Sequence, residues 1–468
     1  MTATTLTERP SVAARAGAGW IDHWDPEDAT FWATTGRRTA RRNLAFSIAS
    51  EHLAFSVWVI WSVLVVVAGT HPADFPFLDP KVPANATGIF WLVALPNLIG
   101  AIMRVPYTLA VARFGGRTWT TVSSLLLLVP VTLAAWCVTH PGTPYWMFLV
   151  AAATAGVGGG NFASSMANIA YFFPERIKGT ALGVNAAGGN IGLSTMQFVV
   201  PILVFFHFGL FVAAAVWFPL VLLAALGAAR FMDNLRVGRQ TLREQAAVLR
   251  RPHAWVMSLL YVGTFGSFLG LAAAFPAVLA FEFPAAQKFH FLGTGLLLPV
   301  AFLGPLVGSL ARPLGGILAD RIGGARVTAV VFACMAGVTV AAIRAADARS
   351  LGGFVAAMLV LFTLSGAGNG SAYRMIPAIF RRQADRAAAG GDGSDVLLRA
   401  RRESSATLGM AGAFGALGGF ILPRAIGDSI RATGGIGTAF ACFVGAYLLC
   451  LAVTCVVYLR RGTVVSGV

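Results

Sequence analysis

The chain has 468 residues, of which 57% are hydrophobic and only 12% charged. A water-soluble domain carries about a quarter charged residues, so this composition excludes an ordinary soluble enzyme or binding module. The net charge of +16 is the kind of excess that nucleic-acid binders show, but the basic residues sit between apolar runs, as the positive-inside rule distributes them, and no nucleic-acid partner is expected.

In chain order, apolar runs predict helices over about 44–69, 88–112, 118–138, 145–171, 179–204, 208–229, 254–281, 293–319, 326–346, 352–377, 404–430 and 436–459. Each run is long enough to cross roughly 30 Å of hydrocarbon. Backbone polar groups inside lipid must be satisfied within the segment, so the spans are expected to be helical, and the alternating pattern of a membrane barrel is absent. Residues 1–43 read as a polar cytoplasmic segment, 44–229 as a first six-helix bundle, 230–253 as a cytoplasmic linker, 254–460 as a second bundle and 461–468 as a cytoplasmic tail. The linker is basic, with Arg230, Arg236, Arg239, Arg243, Arg250 and Arg251, and a second arginine-rich polar loop is expected over 380–403. No cleavable signal peptide is expected, because the first apolar run, from Leu44, follows a polar stretch ending in Arg37, Arg38, Arg41 and Arg42.

Charge sets the expected orientation. With both termini inside, only Lys81, Lys288, Arg344, Arg349, Arg424 and Arg431 fall outside, and nearly all other basic residues fall inside. The expectation is a multi-pass protein of the cytoplasmic membrane, surrounded by lipid. Cys137, Cys334, Cys442, Cys450 and Cys455 lie in apolar runs without a CxxC pair. They read as small buried hydrophobes, with no disulfide framework, metal site or cofactor.

The two halves echo one another. Arg104-Val-Pro, followed nine residues after the arginine by Arg113-Phe-Gly-Gly-Arg117, matches Arg312-Pro, followed at the same distance by Arg321-Ile-Gly-Gly. Gly156-Val-Gly-Gly-Gly160 matches Gly366-Ala-Gly-Asn-Gly370, and Leu182-Gly183 with its later glycines matches Leu408-Gly409 with its own. Two parallel six-helix halves with a site between them is a transporter architecture.

Arg104 and Arg312 stand in the middle of the second and eighth apolar runs. A guanidinium there costs at least ~2.5 kcal/mol by insertion scales. A structural ion pair is one explanation, but the only clear intramembrane carboxylate is Glu51 in the first helix, and it cannot neutralise two arginines. The alternative is an anion site. Guanidinium presents two parallel N–H donors that match two oxygens of a carboxylate, nitrate or nitrite.

Other residues carry weaker signals. Asn190 is a lone amide among Gly183, Gly188, Gly189 and Gly192 in the fifth helix, and Gly412, Gly415, Gly418 and Gly419 repeat the pattern in the eleventh. Such glycines let helices pack closely and slide. Phe162, Tyr261 and Phe265 are candidates to flank a flat anion. Glu51, beside His52, reads either as a partner for an arginine or as a proton carrier. The remaining histidines form no haem or metal pattern.

Several ordered motifs carry a family resemblance. They are Trp24-Asp-Pro-Glu-Asp28, Arg104-Val-Pro-Tyr107, Asn161-Phe-Ala-Ser-Ser-Met-Ala-Asn168, Ala181-Leu-Gly-Val-Asn-Ala-Ala-Gly-Gly-Asn-Ile-Gly192, Met257-Ser-Leu-Leu-Tyr261, Arg312 and Gly415-Ala-Leu-Gly-Gly-Phe-Ile-Leu-Pro423. Together they resemble the nitrate/nitrite porter family, the NarK-type proteins of the major facilitator superfamily, nearly end to end. Asp320-Arg321-Ile-Gly323-Gly324-Ala-Arg326 resembles that superfamily's cytoplasmic loop motif, and the first-half copy at Ala112 lacks the aspartate.

The resemblance implies an all-α membrane fold of about twelve helices in two pseudo-symmetric halves, working by alternating access, with no catalysis. It implies that Arg104 and Arg312 hold the substrate oxygens, that Phe162 and Phe265 flank the anion, and that Tyr261 and Asn190 line the site. Nitrate and nitrite are the implied substrates, and a monomer is expected to suffice. Two departures stand out. Ala187 replaces a glycine usual in the first signature, and Glu51-His52 replaces small or apolar residues of some relatives. Glu51 tilts the expectation toward nitrate/proton symport for import. Nitrate/nitrite antiport, transport of another small anion and a nitrate sensor are the alternatives.

Overall fold

The computed structural model describes residues 15–16, 20–236, 248–283, 288–290, 297–388 and 393–460. Its long helices, in chain order, are α1 Ala29–Ala68, α2 Pro83–Phe114, α3 Gly116–Thr139, α4 Tyr145–Phe172, α5 Glu175–Phe205, α6 Gly209–Phe231 and α7 Pro252–Glu282. They continue with α8 Leu303–Ile322, α9 Gly324–Asp347, α10 Leu351–Ala388, α11 Gly393–Thr433 and α12 Gly437–Leu459. Eleven of them are long and apolar enough to cross a membrane, counted among the described residues. The twelfth, α8, carries Arg312, Asp320 and Arg321 in 20 residues and so lacks the apolarity of the rest. Exposed Leu223, Leu226, Leu314 and Val330 put apolar side chains on the bundle's outer wall, where hydrocarbon is the matching solvent. The molecule is a multi-pass membrane protein.

Several expected boundaries move. Helix α1 starts at Ala29, well before residue 44, because Asp28 caps it by accepting from the N–H groups of Thr30 and Phe31 at 2.8 and 3.1 Å. The eighth helix does not begin at 293. Residues 297–299 pair as a strand with 288–290, and α8 opens at Leu303. Pro305 then falls in the first turn, where a helix has no use for its missing N–H. The loop expected over 380–403 is largely helix. Alanine-rich sequence carries α10 to Ala388, and α11 begins at Gly393. Arg239 and Arg243 of the expected linker lie outside the described residues.

The polar N-terminal segment is built into the first half. Trp20–Ile21 pairs in parallel with Asn234–Leu235 after α6 and antiparallel with Arg15–Ala16. Trp24 packs edge-on against Phe172, and Glu27 accepts from the Glu175 N–H that opens α5. Arg42 and Asn43 both donate to Asp233. These contacts tie the ends of α1, α4, α5 and α6 together.

Glycines set how closely helices approach. A β-carbon on Gly366 would stand 2.0 Å from the Gly308 carbonyl oxygen, and one on Gly370 would stand 2.0 Å from that of Arg312, so α10 lies directly on the α8 backbone. In the first half, Gly159 meets the Cα of Gly100 and the Trp58 ring. The glycine echo between the halves is therefore an echo of packing, α4 on α2 and α10 on α8.

Several contacts join the halves at the end of the bundle opposite the Asp320–Arg321 loop. Gln197 on α5 donates to the Ala272 carbonyl on α7 at 2.6 Å, and Ser194 donates to that of Phe302 at 2.8 Å. Arg424 on α11 lies over Trp91 on α2 at 4.5 Å.

The five cysteines divide. Cys137 and Cys450 are buried, but Cys334, Cys442 and Cys455 are exposed, contrary to the expectation that all are buried. A lipid-facing helix wall accepts a small apolar side chain as readily as a core does.

Two glycine substitutions should part company in thermal unfolding of the detergent-solubilised protein. Gly370→Val forces a side chain into the α8 backbone and should cost about 3 kcal/mol or more, seen as loss of folded protein. Gly183→Ala, where no neighbour lies within 4 Å, should hold or raise the midpoint, since alanine is favoured over glycine in a helix by roughly 0.5–1 kcal/mol.

Candidate functional site

Arg104 projects from α2 and Arg312 from α8, at repeat-related positions, and they are 2% and 5% exposed. The two groups converge on one ring. The guanidinium carbon of Arg104 stands 4.8 Å from the Phe162 ring centroid, and that of Arg312 stands 5.5 Å from the same centroid. Among the described residues, neither has a carboxylate within 4.0 Å, so the ion-pair explanation of the buried arginines does not hold.

The charges are met by ring faces and neutral oxygens instead. Arg104 also lies over Phe265 at 5.1 Å and Trp58 at 5.8 Å, and its Nη1 donates to the Gly412 carbonyl on α11 at 2.7 Å. Arg312 lies over Tyr373 at 5.6 Å, and its Nη2 donates to the Tyr261 hydroxyl at 3.3 Å. Three N–H positions keep no acceptor among the described residues: Nε and Nη2 of Arg104, and Nη1 of Arg312. Donors of this kind, gathered in a buried cationic centre, are suited to a small oxyanion.

Local structure explains the rings. A π-turn over Val262–Gly266 interrupts α7, and Tyr261 and Phe265 stack across it with centroids 5.3 Å apart. Phe265 continues the stack to Phe162 at 6.0 Å. Gly415 makes room, since a β-carbon there would be 2.7 Å from the Tyr261 ring and 3.1 Å from that of Phe265. Trp58 is wedged between α1, α2 and α4, with its Nε1 donating to the Pro96 carbonyl at 2.8 Å.

Arg104, Arg312, Tyr261, Phe162 and Phe265 are thus brought together. Asn190 is buried at 1% exposure, and both of its amide atoms lack a partner among the described residues, including either arginine. Glu51 sits apart in a polar socket between α1, α4 and α5. One carboxylate oxygen accepts from Ser165 at 2.5 Å and Asn185 at 2.8 Å, and Ser47 shares a hydrogen bond with Ser165. The other oxygen has no partner among the described residues. Glu51 forms no ion pair with either arginine. His52 faces the Gly188 carbonyl at 3.1 Å.

The eight glycines singled out in the sequence do different things. Gly188 and Gly192 press on Ile48 and on the His52 carbonyl, Gly418 on Gly266, and Gly419 on Leu269 and Asn97. Gly189 clears space for the Glu51 carboxylate, Gly412 offers its carbonyl to Arg104, and Gly183 has no neighbour within 4 Å, so the close approach expected there is absent.

Asp320 takes a two-pronged contact from Arg374, with Nε to Oδ1 at 2.9 Å, and Gly323 turns the chain at φ 94°. In the first-half copy Gly115 makes the same turn at φ 85°, and Asn234 takes the polar role by bonding both the N–H and the hydroxyl of Thr118. Trp58, Tyr373, Ser165 and Asn185 were not expected. Ser165 lies within the Asn161–Asn168 signature and Asn185 within the Ala181–Gly192 signature, but nothing in sequence placed Trp58 or Tyr373 near Arg104 or Arg312.

A buried cationic centre between two repeat-related helical halves defines a membrane transporter. The family model for the Major Facilitator Superfamily matches residues 45–392. The nitrate/nitrite transporter NarU of Salmonella typhimurium is 37% identical over 463 residues, covering 94% of this chain and 96% of that protein. The probable nitrate/nitrite antiporter NarK2 of Thermus thermophilus is 35% identical, covering 95% and 97%. Among solved structures, a D-xylose–proton symporter shares the fold at a TM-score of 0.58 and 15% identity, over 88% of this chain and 96% of that one. The chain belongs to the NarK-type nitrate/nitrite porter family of the major facilitator superfamily and is a transporter, not an enzyme.

The Glu51 socket makes a testable demand on folding. Asn185→Leu withdraws a donor from a buried carboxylate and should cost about 1–3 kcal/mol, lowering the unfolding midpoint in detergent. Glu51→Gln still offers an acceptor to Ser165 and Asn185 and should leave the midpoint nearly unchanged.

Proposed function

We propose that this protein imports nitrate, and accepts nitrite, across the cytoplasmic membrane by alternating access, with the anion held between Arg104 and Arg312. The observation that carries the reading is the convergence of two buried guanidinium groups on Phe162 with no carboxylate within 4.0 Å of either among the described residues. The names of relatives similar over nearly the whole chain support nitrate and nitrite as the transported anions. In this reading Phe162 and Phe265 flank the plane of the anion, Tyr261 and Asn190 supply further polar contacts, and both termini are cytoplasmic.

Electrostatics gives the site a way to gate itself. Two like charges buried beside one ring in a medium of low dielectric repel. A monovalent anion between them removes much of that repulsion and lets the halves close around it. The glycines of α5 and α11 serve as the surfaces along which the halves slide.

For coupling, we favour proton symport through Glu51. It is a buried carboxylate outside any ion pair, with one oxygen lacking a partner among the described residues, on the first-half helix that contributes Trp58 to the site. The second reading is nitrate/nitrite antiport. It is favoured by the antiporter name of the Thermus thermophilus relative and needs no titrating group.

Uptake into proteoliposomes tests both levels. Arg104→Lys and Arg312→Lys should each reduce nitrate uptake to near background, because an ammonium cannot form the paired bonds of a guanidinium; robust transport by either variant sinks the anion site. Glu51→Gln should abolish accumulation driven by a pH gradient while sparing exchange against internal nitrite. If the native protein ignores the pH gradient and requires internal nitrite, symport is wrong and antiport stands.

A further inference from the structure

The two arginines are not supported alike within their own halves. Arg104 has two rings from the first half, Phe162 and Trp58. Arg312 has Phe162 across the interface, but within the second half its only ring face among the described residues is Tyr373 on α10. Its one side-chain hydrogen bond among the described residues, to the Tyr261 hydroxyl, also stays within the second half. When two halves rock apart, contacts across the interface are the ones that break. Tyr373 and Tyr261 then remain to hold the Arg312 side chain.

The packing of α10 on α8 delivers Tyr373 to this place. Gly370 sits against the Arg312 carbonyl, where a β-carbon would be only 2.0 Å away. A residue three positions further along a helix shares its face, so Tyr373 follows Gly370 to the side of Arg312. Its ring also lies 6.1 Å from that of Tyr261, tilted by 42°. No hydrogen bond of the Tyr373 hydroxyl is present among the described residues, so the contact to Arg312 is made by the ring face. Aromatic faces carry negative potential and attract guanidinium groups, most strongly where water is excluded.

We infer that Tyr373 is a positioning residue of the anion site: its ring face holds the Arg312 guanidinium ready for the anion throughout the transport cycle. This rests on the reading of Arg312 as a substrate ligand. The repeat does not supply a counterpart, since the glycine echo aligns Tyr373 with Ala163 and Phe162 with Ala372. The second half therefore carries its own ring, one residue out of register with that of the first.

The test uses the full-length protein in detergent and in proteoliposomes, with nitrate as the probe. Tyr373→Phe keeps the ring and should bind nitrate within about twofold of the native protein. Tyr373→Leu and the longer, unbranched Tyr373→Met lose the ring face and should raise Kd and KM about tenfold while leaving the maximal rate within about twofold. The inference is overturned if Phe is as impaired as Leu, if Leu and Met leave KM unchanged, or if the maximal rate falls at constant KM. Should Leu fail to fold, Met and Phe decide by the same criteria. A native protein that does not bind nitrate overturns the anion-site reading itself, a result distinct from any of these.

Discussion

Two guanidinium groups held inside a lipid-spanning bundle without a carboxylate partner constrain everything around them. Burying an unpaired cation is costly, and the protein meets the cost with four aromatic faces, a helix carbonyl and a phenol oxygen. That choice leaves N–H donors of both arginines unused. A carboxylate in their place would have neutralised the centre and removed its affinity for an anion. The aromatic lining thus keeps the charge in the bundle while leaving it available, and the proposed transport of nitrate depends on that balance.

The glycines are best understood from the same centre. Some, such as Gly366 and Gly370, bring α10 onto the α8 backbone and fix where Arg312 emerges. Gly415 clears space for the stacked rings of Tyr261 and Phe265, and Gly412 gives its carbonyl to Arg104 across the interface. These are three consequences of removing a side chain, and only the interfacial ones bear on sliding. The π-turn of α7 belongs to the same centre, because Tyr261 and Phe265 stack across it.

Around this centre each half is braced by different means. In the second half, Asp320 and Arg374 fasten the turn at Gly323. In the first half the aspartate is missing, and Asn234, arriving from beyond α6, fastens the turn at Gly115. The N-terminal segment adds Trp24, Glu27 and the strand at Trp20–Ile21 to that brace. The repeat thus preserves the rigid body and the arginine while exchanging the groups that secure it. Glu51 is a further asymmetry, since its socket of Ser165, Asn185 and the space at Gly189 exists only in the first half.

The class of fold, the number of long helices, the repeat and the two arginines were legible in the sequence because each rests on composition or local pattern. Long apolar runs imply spanning helices, and a charge in the middle of one is conspicuous at any level of description. Phe162, Tyr261 and Phe265 were recognisable through motif resemblance. The early start of α1, the late start of α8 and the helices through 380–403 were not, because a cap at Asp28, a strand pair and runs of good helix formers overrode the apolar boundaries used to mark ends. Trp58 and Tyr373 were hidden for a different reason. In a chain with 34 phenylalanines and 11 tryptophans, an aromatic residue on a helix carries no mark of what it touches. Only the approach of α10 to α8 and of α4 to α2, set by glycines far apart in the chain, decides which rings face a guanidinium.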